Sequence, residues 1–391
     1  MKKIIGYTAV VFAFCSTAFA QVTKVGNDTL LDVAGWNIEW FGDLTNGPSD
    51  EALQFNNVKS VLKNTDIDIW GLAEVSNPTL FASLLTDLTV YDFVLSNFSQ
   101  TQKTGLIWKK SKFDLVSSAS VLTEYSYDFA SRAPLEVALK SKDNIITDTL
   151  YFYVLHFKAN TGSQTEKVKS YNRRKNAAGY LKTYLDANRK YKKVIVLGDW
   201  NDDLDESIVY ENGAYLTSPF SNFLTDSARY FFTSLQLTKT GQKSTASYPN
   251  MIDHQMISAY MRDSFYVANS SRVMTQTAAQ ISNYRNNTSD HYPVLGRFNM
   301  KRYFKAEPPN TGVDEWNVFD DVLVYPNPAS QYLMVDTKQF IKQLVLTDAV
   351  GNRLITSYET HIDISGIANG LYFLTIVGDE GKAVKKVFIE H

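Results

Sequence analysis

Along residues 21–304, short apolar runs alternate with stretches whose apolar positions recur at helical spacing, as mixed α/β packing requires. Strands are predicted at Leu31 to Ile38, Ile67 to Ala73, Leu150 to Phe157, Lys193 to Gly198 and Met251 to Ser258. Between two of these, Gln164 to Leu185 carries Val168, Tyr171, Ala178, Leu181 and Leu185 at a spacing that predicts a helix on a sheet face. The segment KAEPPNTGVD that follows is polar and punctuated by Pro and Gly, so a linker is placed at 305–321. From Val322 to His391 the apolar runs are short and broken by turns at PNPAS, AVGN, ANG and GDEGK, which predicts a small β-sandwich. At the other end, Met1, Lys2 and Lys3 precede an apolar run from Ile4 to Phe14 and small residues at Ala18 and Ala20. That order predicts a secretory signal peptide over residues 1–20, cleaved before Gln21. About eleven apolar residues are too few to span a bilayer comfortably, so no stable membrane span is expected. The bulky Phe14 before Cys15 argues against a lipoprotein.

Composition narrows the chemistry. The 391 residues are 44% hydrophobic and 20% charged, enough apolar material for a large core in one or two domains. Lys and Arg number 39 against 41 Asp and Glu, so binding of nucleic acid through bulk positive charge is excluded and any phosphate site must be local. The single cysteine lies in the signal segment. No intrachain disulfide framework or cysteine zinc site is possible in the exported protein, and metal chemistry would have to use oxygen and histidine ligands.

Several apolar runs end in a group that can bind a metal or move a proton. DVAGWNIEW delivers Asn37, DIDIWGLAEV delivers Glu74, YFYVLHFKA delivers His156 and VIVLGDWND delivers Asp199 and Asn201. MIDHQMIS adds Asp253, and TSDHYPV adds Asp290 and His291. Singly, a carboxylate after a strand is an ordinary solvated end, Asp and Asn after Gly198 an ordinary turn, and a strand histidine an ordinary hydrogen-bonded core residue. Six such pieces in one chain are harder to explain separately. Alternation puts Ile195, Leu197, Asp199 and Asn201 on one face and Leu150, Phe152, Val154 and His156 on another, so the polar groups continue buried faces and need partners. Carboxylate and amide oxygens without cysteine favour Mg²⁺, with Mn²⁺ or Ca²⁺ next, over zinc. A hard cation beside acidic residues and histidines suits phosphate-ester hydrolysis, in which one base activates water. Neither a GxSxG elbow nor a P-loop is present.

The ordered motifs WNIEW, LAEV, SRAPL, HFKA, GDWND, IDHQMIS and SDHYPV resemble those of the endonuclease/exonuclease/phosphatase family, the metal-dependent phosphoesterases that share the fold of pancreatic DNase. The resemblance covers roughly residues 30 to 300, with GDWND and SDH the most specific. It implies a DNase I-like four-layer α/β sandwich, two mixed sheets face to face under helices, for a catalytic domain at 21–304. It further implies Glu74 as principal metal ligand beside Asn37, with Asp290 at the metal site. His291 would be the general base, oriented by Asp253. Asp199 and Asn201 would position the nucleophile or protonate the leaving group, His156 would stabilise phosphoryl oxygens, and Arg132 of SRAPL would contact phosphate. LAEV departs from the pattern with Ala73 where the family commonly has Gln, which removes a secondary contact and leaves the metal carboxylate. Residues 322–391, with VYPNPAS, LTDAVGNRL, IDISGIANGLYFLTI and KKVFIEH, resemble the C-terminal sorting domain of the type IX secretion system.

These readings converge on a secreted or surface-attached enzyme, exported through the periplasm with the type IX machinery as partner and nucleic acid as the expected substrate. A sphingomyelinase-like or inositol-phosphate-type phosphatase uses the same residues, and a catalytically inactive surface-binding protein is the alternative of another class. His254 is expected to point away from Asp253 as a structural residue. The basic stretch Lys158 to Lys193 reads as a solvated helix face, and Tyr125, Tyr127 and Phe129 suit either core packing or a stacking surface. His361 and His391 receive no catalytic role.

Overall fold

The computed structural model describes residues 22–142, 149–300, 322–337, 341–378 and 382–391, so the expected signal peptide and linker lie outside the described residues. Two six-stranded sheets form the centre. The first runs in the order Arg272–Val273, Val294–Phe298, Leu31–Phe41, Ile69–Val75, Lys103–Lys109 and Tyr91–Leu95. The second runs Tyr230–Phe232, Asp253–Ser258, Lys193–Asp199, Thr149–His156, Leu135–Ser141 and Phe113–Ser120. Val33, Ile69, Leu106 and Trp108 of the first sheet pack against Val137, Phe152, Val154, Ile195, Leu197 and Ile257 of the second in one buried cluster. On the outer faces, Trp70 and Leu72 lie under the helices Glu51–Asn64 and Pro78–Asp87, while Val194 and Val196 lie under Gln164–Asn188. The result is the expected four-layer α/β sandwich.

Period-two alternation decides which side chains meet between the sheets. Gly71 belongs to that inner face, and a Cβ there would stand 2.7 Å from Leu197 Cγ, so glycine lets the sheets approach. The helix Gln164–Asn188 is the crossover between two parallel neighbours, Thr149–His156 and Lys193–Asp199, whose register pairs His156 with Asp199. Asp253 pairs with Asp199 across the next, antiparallel ladder. On the facing sheet, Asn37 pairs with Ala73 in a parallel ladder. Strand polarity and register therefore bring four of the chemically active segments to one end of the sandwich.

The helix Gln164–Asn188 is not solvated throughout, as its basic composition suggests. Arg174 is fully buried, bonding Asp202 Oδ2 at 3.0 and 2.7 Å through Nε and Nη2 and Lys158 O at 2.8 Å. Asp202 also accepts from Ser207 Oγ and Ile208 N, so the pair pins the loop after Asp199 to the helix. Arg174→Met should strand a buried carboxylate and reduce stability by about 3–5 kcal/mol, read in a denaturant titration. A loss below about 1 kcal/mol would contradict this role.

The C-terminal region is a separate β-structure. Leu323–Tyr325, Tyr332–Asp336 and His361–Asp363 form one sheet, and Arg353–Ser357, Ile341–Asp348, Gly370–Gly378 and Lys382–Ile389 form another. Leu333, Val335, Leu344, Leu346, Ile362, Leu374 and Ile376 form the core of this region. It touches the larger body through rings: Tyr325 stacks on Tyr260 at 5.4 Å, and His361 stacks on Tyr191. Lys193 lies 5.4 Å from the centre of the Tyr260 ring, at the start of the strand that ends in Asp199. At about 3.3 Å per residue, this contact sits roughly 20 Å from Asp199. A chain ending before Val322 should therefore keep its catalytic rate; a large loss of turnover would show that the domain helps form the site.

Candidate active site

The inner faces of both sheets end in polar residues at one pole. His156, Asp199 and Asp253 continue the rows Phe152–Val154, Ile195–Leu197 and Gln255–Ile257, all buried. Gly198 makes the last step of the central row possible: its φ is +136°, and a Cβ would lie 2.2 Å from Leu155 O. Across from them, Asn37 continues the row Val33–Gly35. Glu74 breaks its row. Trp70 and Leu72 face the outer helices, and strict alternation would send Glu74 after them; instead its backbone turns left-handed, with φ +62°, and its carboxylate meets Asn37.

Asn37 Nδ2 donates to Glu74 Oε1 at 3.0 Å and to Asp199 Oδ2 at 3.1 Å, bridging the two sheets. Its Oδ1 accepts from Glu39 N at 3.0 Å. Trp40 N donates 2.8 Å to Glu74 Oε2. His156 Nε2 stands 3.5 Å from Glu74 Oε1 and 3.6 Å from Asp199 Oδ2. His291 Nδ1 pairs with Asp253 Oδ2 at 2.7 Å, which leaves Nε2 facing Asp199 Oδ2 at 3.9 Å and Asp290 Oδ1 at 3.8 Å. Asn201, also left-handed with φ +55°, donates its backbone N–H to Asp199 Oδ1 and its amide to Phe157 O. The strand ends at Asp199, so the face expected to be shared by Asp199 and Asn201 stops at Asp199, two residues before Asn201.

All nine candidate residues thus belong to one pole of the fold, with two differing in what they touch. Arg132 is buried and spends its guanidinium on the scaffold: Nε to His156 O, Nη1 to Gln102 Oε1 and Nη2 to Phe157 O. Asp290 neighbours His291 but falls outside both compact donor groups, which are Glu74 with His156 and Asp199, and Asp199 with Asp253 and His291. Within each group the donor atoms lie within 4.8 Å of one another.

Electrostatics follow from burial. Burial raises the Glu74 carboxyl above its ordinary range, against the pull of Asn37 and His291. Burial also pushes Asp199 up to about 7, partly offset by His291. Burial lowers His156 well below the ordinary imidazole value, with Arg132 adding to the effect, so it is neutral. For His291, burial pulls downward, but the Asp253 and Asp199 carboxylates outweigh it and hold the ring well above 6.5. Arg132 is lowered by burial to about 10 and remains charged at neutral pH.

This donor set fits a hard divalent cation. Two buried carboxylates converge from facing sheets, the sulfur ligands that soft metals prefer are missing, and Asp253 Oδ1 and His156 Nδ1 are buried without hydrogen-bond partners. Glu74, with Asp199 opposite, would hold the ion. For Asn37 to lend its oxygen, its amide would have to turn over and release Glu39 N.

Several supporting residues escaped the sequence reading. Ser289 Oγ donates to Asn37 O at 2.7 Å and accepts from His291 N at 3.0 Å, joining the Asn37 side to the histidine side; its signal was its place inside the SDH motif. Trp36 Nε1 and Tyr284 OH both donate to His291 O. Glu39 sits half-buried against Arg285 Nη1 at 2.9 Å, and burial together with Asp290 raises it to about 7. His254 is structural as expected, held by Ser234 Oγ and Asp202 O, and Phe129 is core, packed on Phe157. Tyr127 is exposed, with the Arg173 guanidinium 4.2 Å from its ring centre.

Comparison with known proteins agrees with this architecture. The family model described as Endonuclease/Exonuclease/phosphatase family matches residues 34–291, and that of the Secretion system C-terminal sorting domain matches 323–390. Among solved structures, D. rerio TDP2 complexed with single strand DNA product superposes with a TM-score of 0.52 at 15% identity, over 70% of this chain and 100% of that one. A humanized D. rerio TDP2 gives 0.51 at 14% identity over 69% and 99%. An endonuclease/exonuclease/phosphatase from Bacteroides vulgatus gives 0.48 at 16% over 69% and 98%. No curated protein matches. The sorting domain indicates secretion or attachment to the cell surface, and among the described residues no helix is long and apolar enough to cross a membrane. Two thirds of the chain match one family model in the region that builds this site, and the chain belongs to the endonuclease/exonuclease/phosphatase family.

Proposed function

We propose that the protein is an exported, Mg²⁺-dependent phosphodiesterase that hydrolyses nucleic acid. The observation that carries the reading is the His291–Asp253 pair at 2.7 Å, aimed across Asp199 at the Glu74–Asn37 pair on the opposite sheet. Asp253 fixes the imidazole so that Nε2 faces the space between the sheets, where it can take a proton from water attacking phosphorus. Asp199, with Oδ1 fixed by Asn201 N–H, turns Oδ2 toward His291 Nε2 at 3.9 Å and can position the attacking water beside that base. Neutral His156 presents Nε2 toward the same space and offers a contact to a phosphoryl oxygen. A bound divalent ion would neutralise phosphoryl charge and stabilise the leaving oxygen.

A polymeric, anionic substrate is supported by the flank beside His156. Lys158 is lowered by burial and by the neighbouring Arg173, which places two cations side by side on that flank of a chain of net charge −2. Tyr127 with Arg173 adds an exposed aromatic–cation pair there, a surface suited to a base and its phosphate. The test is a metal-dependent screen of the purified protein on plasmid DNA, RNA, sphingomyelin and inositol phosphates. Nucleic acid cleavage that EDTA abolishes and Mg²⁺ or Mn²⁺ restores is expected. Full activity in chelator, or cleavage of the lipid alone, would overturn the assignment.

A further inference from the structure

We infer that Gln54, on the helix Glu51–Asn64 outside every recognised motif, is a positioning residue that holds both halves of the active site in register and thereby sets the affinity of the Glu74 site for its cation. The inference rests on the metal-dependent reading above.

Gln54 is 1% exposed, in the first turn of a helix capped by Asp50, whose side chain accepts from Leu53 N. Its Nε2 donates to Ile38 O at 2.9 Å, Glu39 O at 2.8 Å and Thr288 O at 3.2 Å, and its Oε1 faces Gly42 N at 3.4 Å. An amide has two N–H bonds, so three carbonyls share them. Ile38 and Glu39 lie in the last, irregular stretch of the Asn37 strand, where its pairing shifts register between Asn37 and Phe41, and Gly42 follows it; together they make a tight 38–42 turn of the backbone. Thr288 opens the Ser289–Asp290–His291 segment. One side chain therefore ties the turn beside the metal carboxylate to the loop that carries the base.

That turn is unusual. Glu39 and Trp40 are consecutive non-glycine residues with φ +42° and +48°, a conformation disfavoured by the Cβ and retained only where surrounding bonds impose it. Its product is useful: it aims Trp40 N at Glu74 Oε2 and Glu39 N at Asn37 Oδ1. Gln54 binds the carbonyls on one side of the turn, and Arg285 binds the Glu39 carboxylate from the other, at 2.9 and 3.2 Å. Without the amide, the turn loses its inner anchor and Glu74 loses the N–H that orients one oxygen. Outer partners of this kind change metal affinity or activity by about ten- to a hundredfold in other metal sites.

The test measures Mn²⁺ binding to the full chain by calorimetry, with the melting temperature recorded in parallel. Gln54→Met keeps length and apolar packing but removes the donors, and should weaken Mn²⁺ binding by at least about tenfold. Asn57→Leu is the control: Asn57 lies on the same helix and donates at 3.0 Å to Asn287 O, but it does not reach the 38–42 turn, so Mn²⁺ binding should stay within about twofold of the parent. Should Gln54→Met fail to fold, Arg285→Ala probes the same turn from the exposed side and should weaken binding in the same direction. Parental binding in Gln54→Met, even with a lower melting temperature, would show a purely structural residue and overturn the inference, as would parental binding in Arg285→Ala where only that variant folds. A parent protein that binds no Mn²⁺ would instead overturn the metal-dependent reading itself, and this inference with it.

Discussion

His291→Ala should lower turnover at least about a hundredfold while leaving substrate affinity little changed. Its Nε2 is the imidazole nitrogen that faces the inter-sheet space with its partner nitrogen already committed, to Asp253 Oδ2 at 2.7 Å. The main chain at His291 is held independently, by Ser289 Oγ on its N–H and by Trp36 and Tyr284 on its carbonyl, so the loop should survive removal of the ring. The pH dependence supplies a second reading. Burial alone would depress the imidazole, yet Asp253 and Asp199 hold it well above 6.5. A base must be unprotonated, so the rate should climb with rising pH through an acid limb that lies above the ordinary histidine range. Asp253→Asn removes the largest raising charge and should move that limb to lower pH, with a smaller loss of rate than His291→Ala. Near-parental turnover in His291→Ala, or an acid limb unmoved in Asp253→Asn, would show that another group activates the water.

Much of this geometry was legible because strand periodicity and chemistry agreed. The rows ending in His156, Asp199 and Asp253 follow from alternation alone, and the register places them side by side. Other features depend on backbone conformations that an apolar pattern does not encode. Glu74 reaches the site because its φ is positive, and alternation would have assigned it to the outer face. Gln54 and Ser289 act on carbonyls far away in the chain, 234 and 252 residues distant, so no local spacing could reveal them. Arg174 reads as one more charge on a basic helix until Asp202 is found against it. The strand Phe113–Ser120 escaped for the opposite reason: it is a sheet edge whose residues after Phe113 are largely exposed, so it carries no strong apolar run.

Glu74→Gln should separate the cation from the fold. The substitution preserves shape and replaces one carboxylate oxygen with an amide nitrogen, so the charge disappears while packing against the neighbouring strands remains. In the parent, burial disfavours the charged carboxylate, and Asn37 Nδ2 and Trp40 N offset only part of that burden. Neutralising it should therefore leave stability equal to the parent or slightly higher in metal-free buffer. The opposite holds for metal binding, because one of the two carboxylates converging from the facing sheets is gone and Asp199 alone offers a weak site for a hard cation. Mg²⁺ or Mn²⁺ should then be needed at far higher concentration, with turnover down by at least about a hundredfold at the parent's saturating level. Thermal melts with and without Mn²⁺ give a readout independent of catalysis: the ion should raise the parent's melting temperature and leave that of Glu74→Gln nearly unchanged. An equal metal-induced shift in both proteins would place the cation elsewhere, and the nearest remaining donor group is that of Asp199, Asp253 and His291.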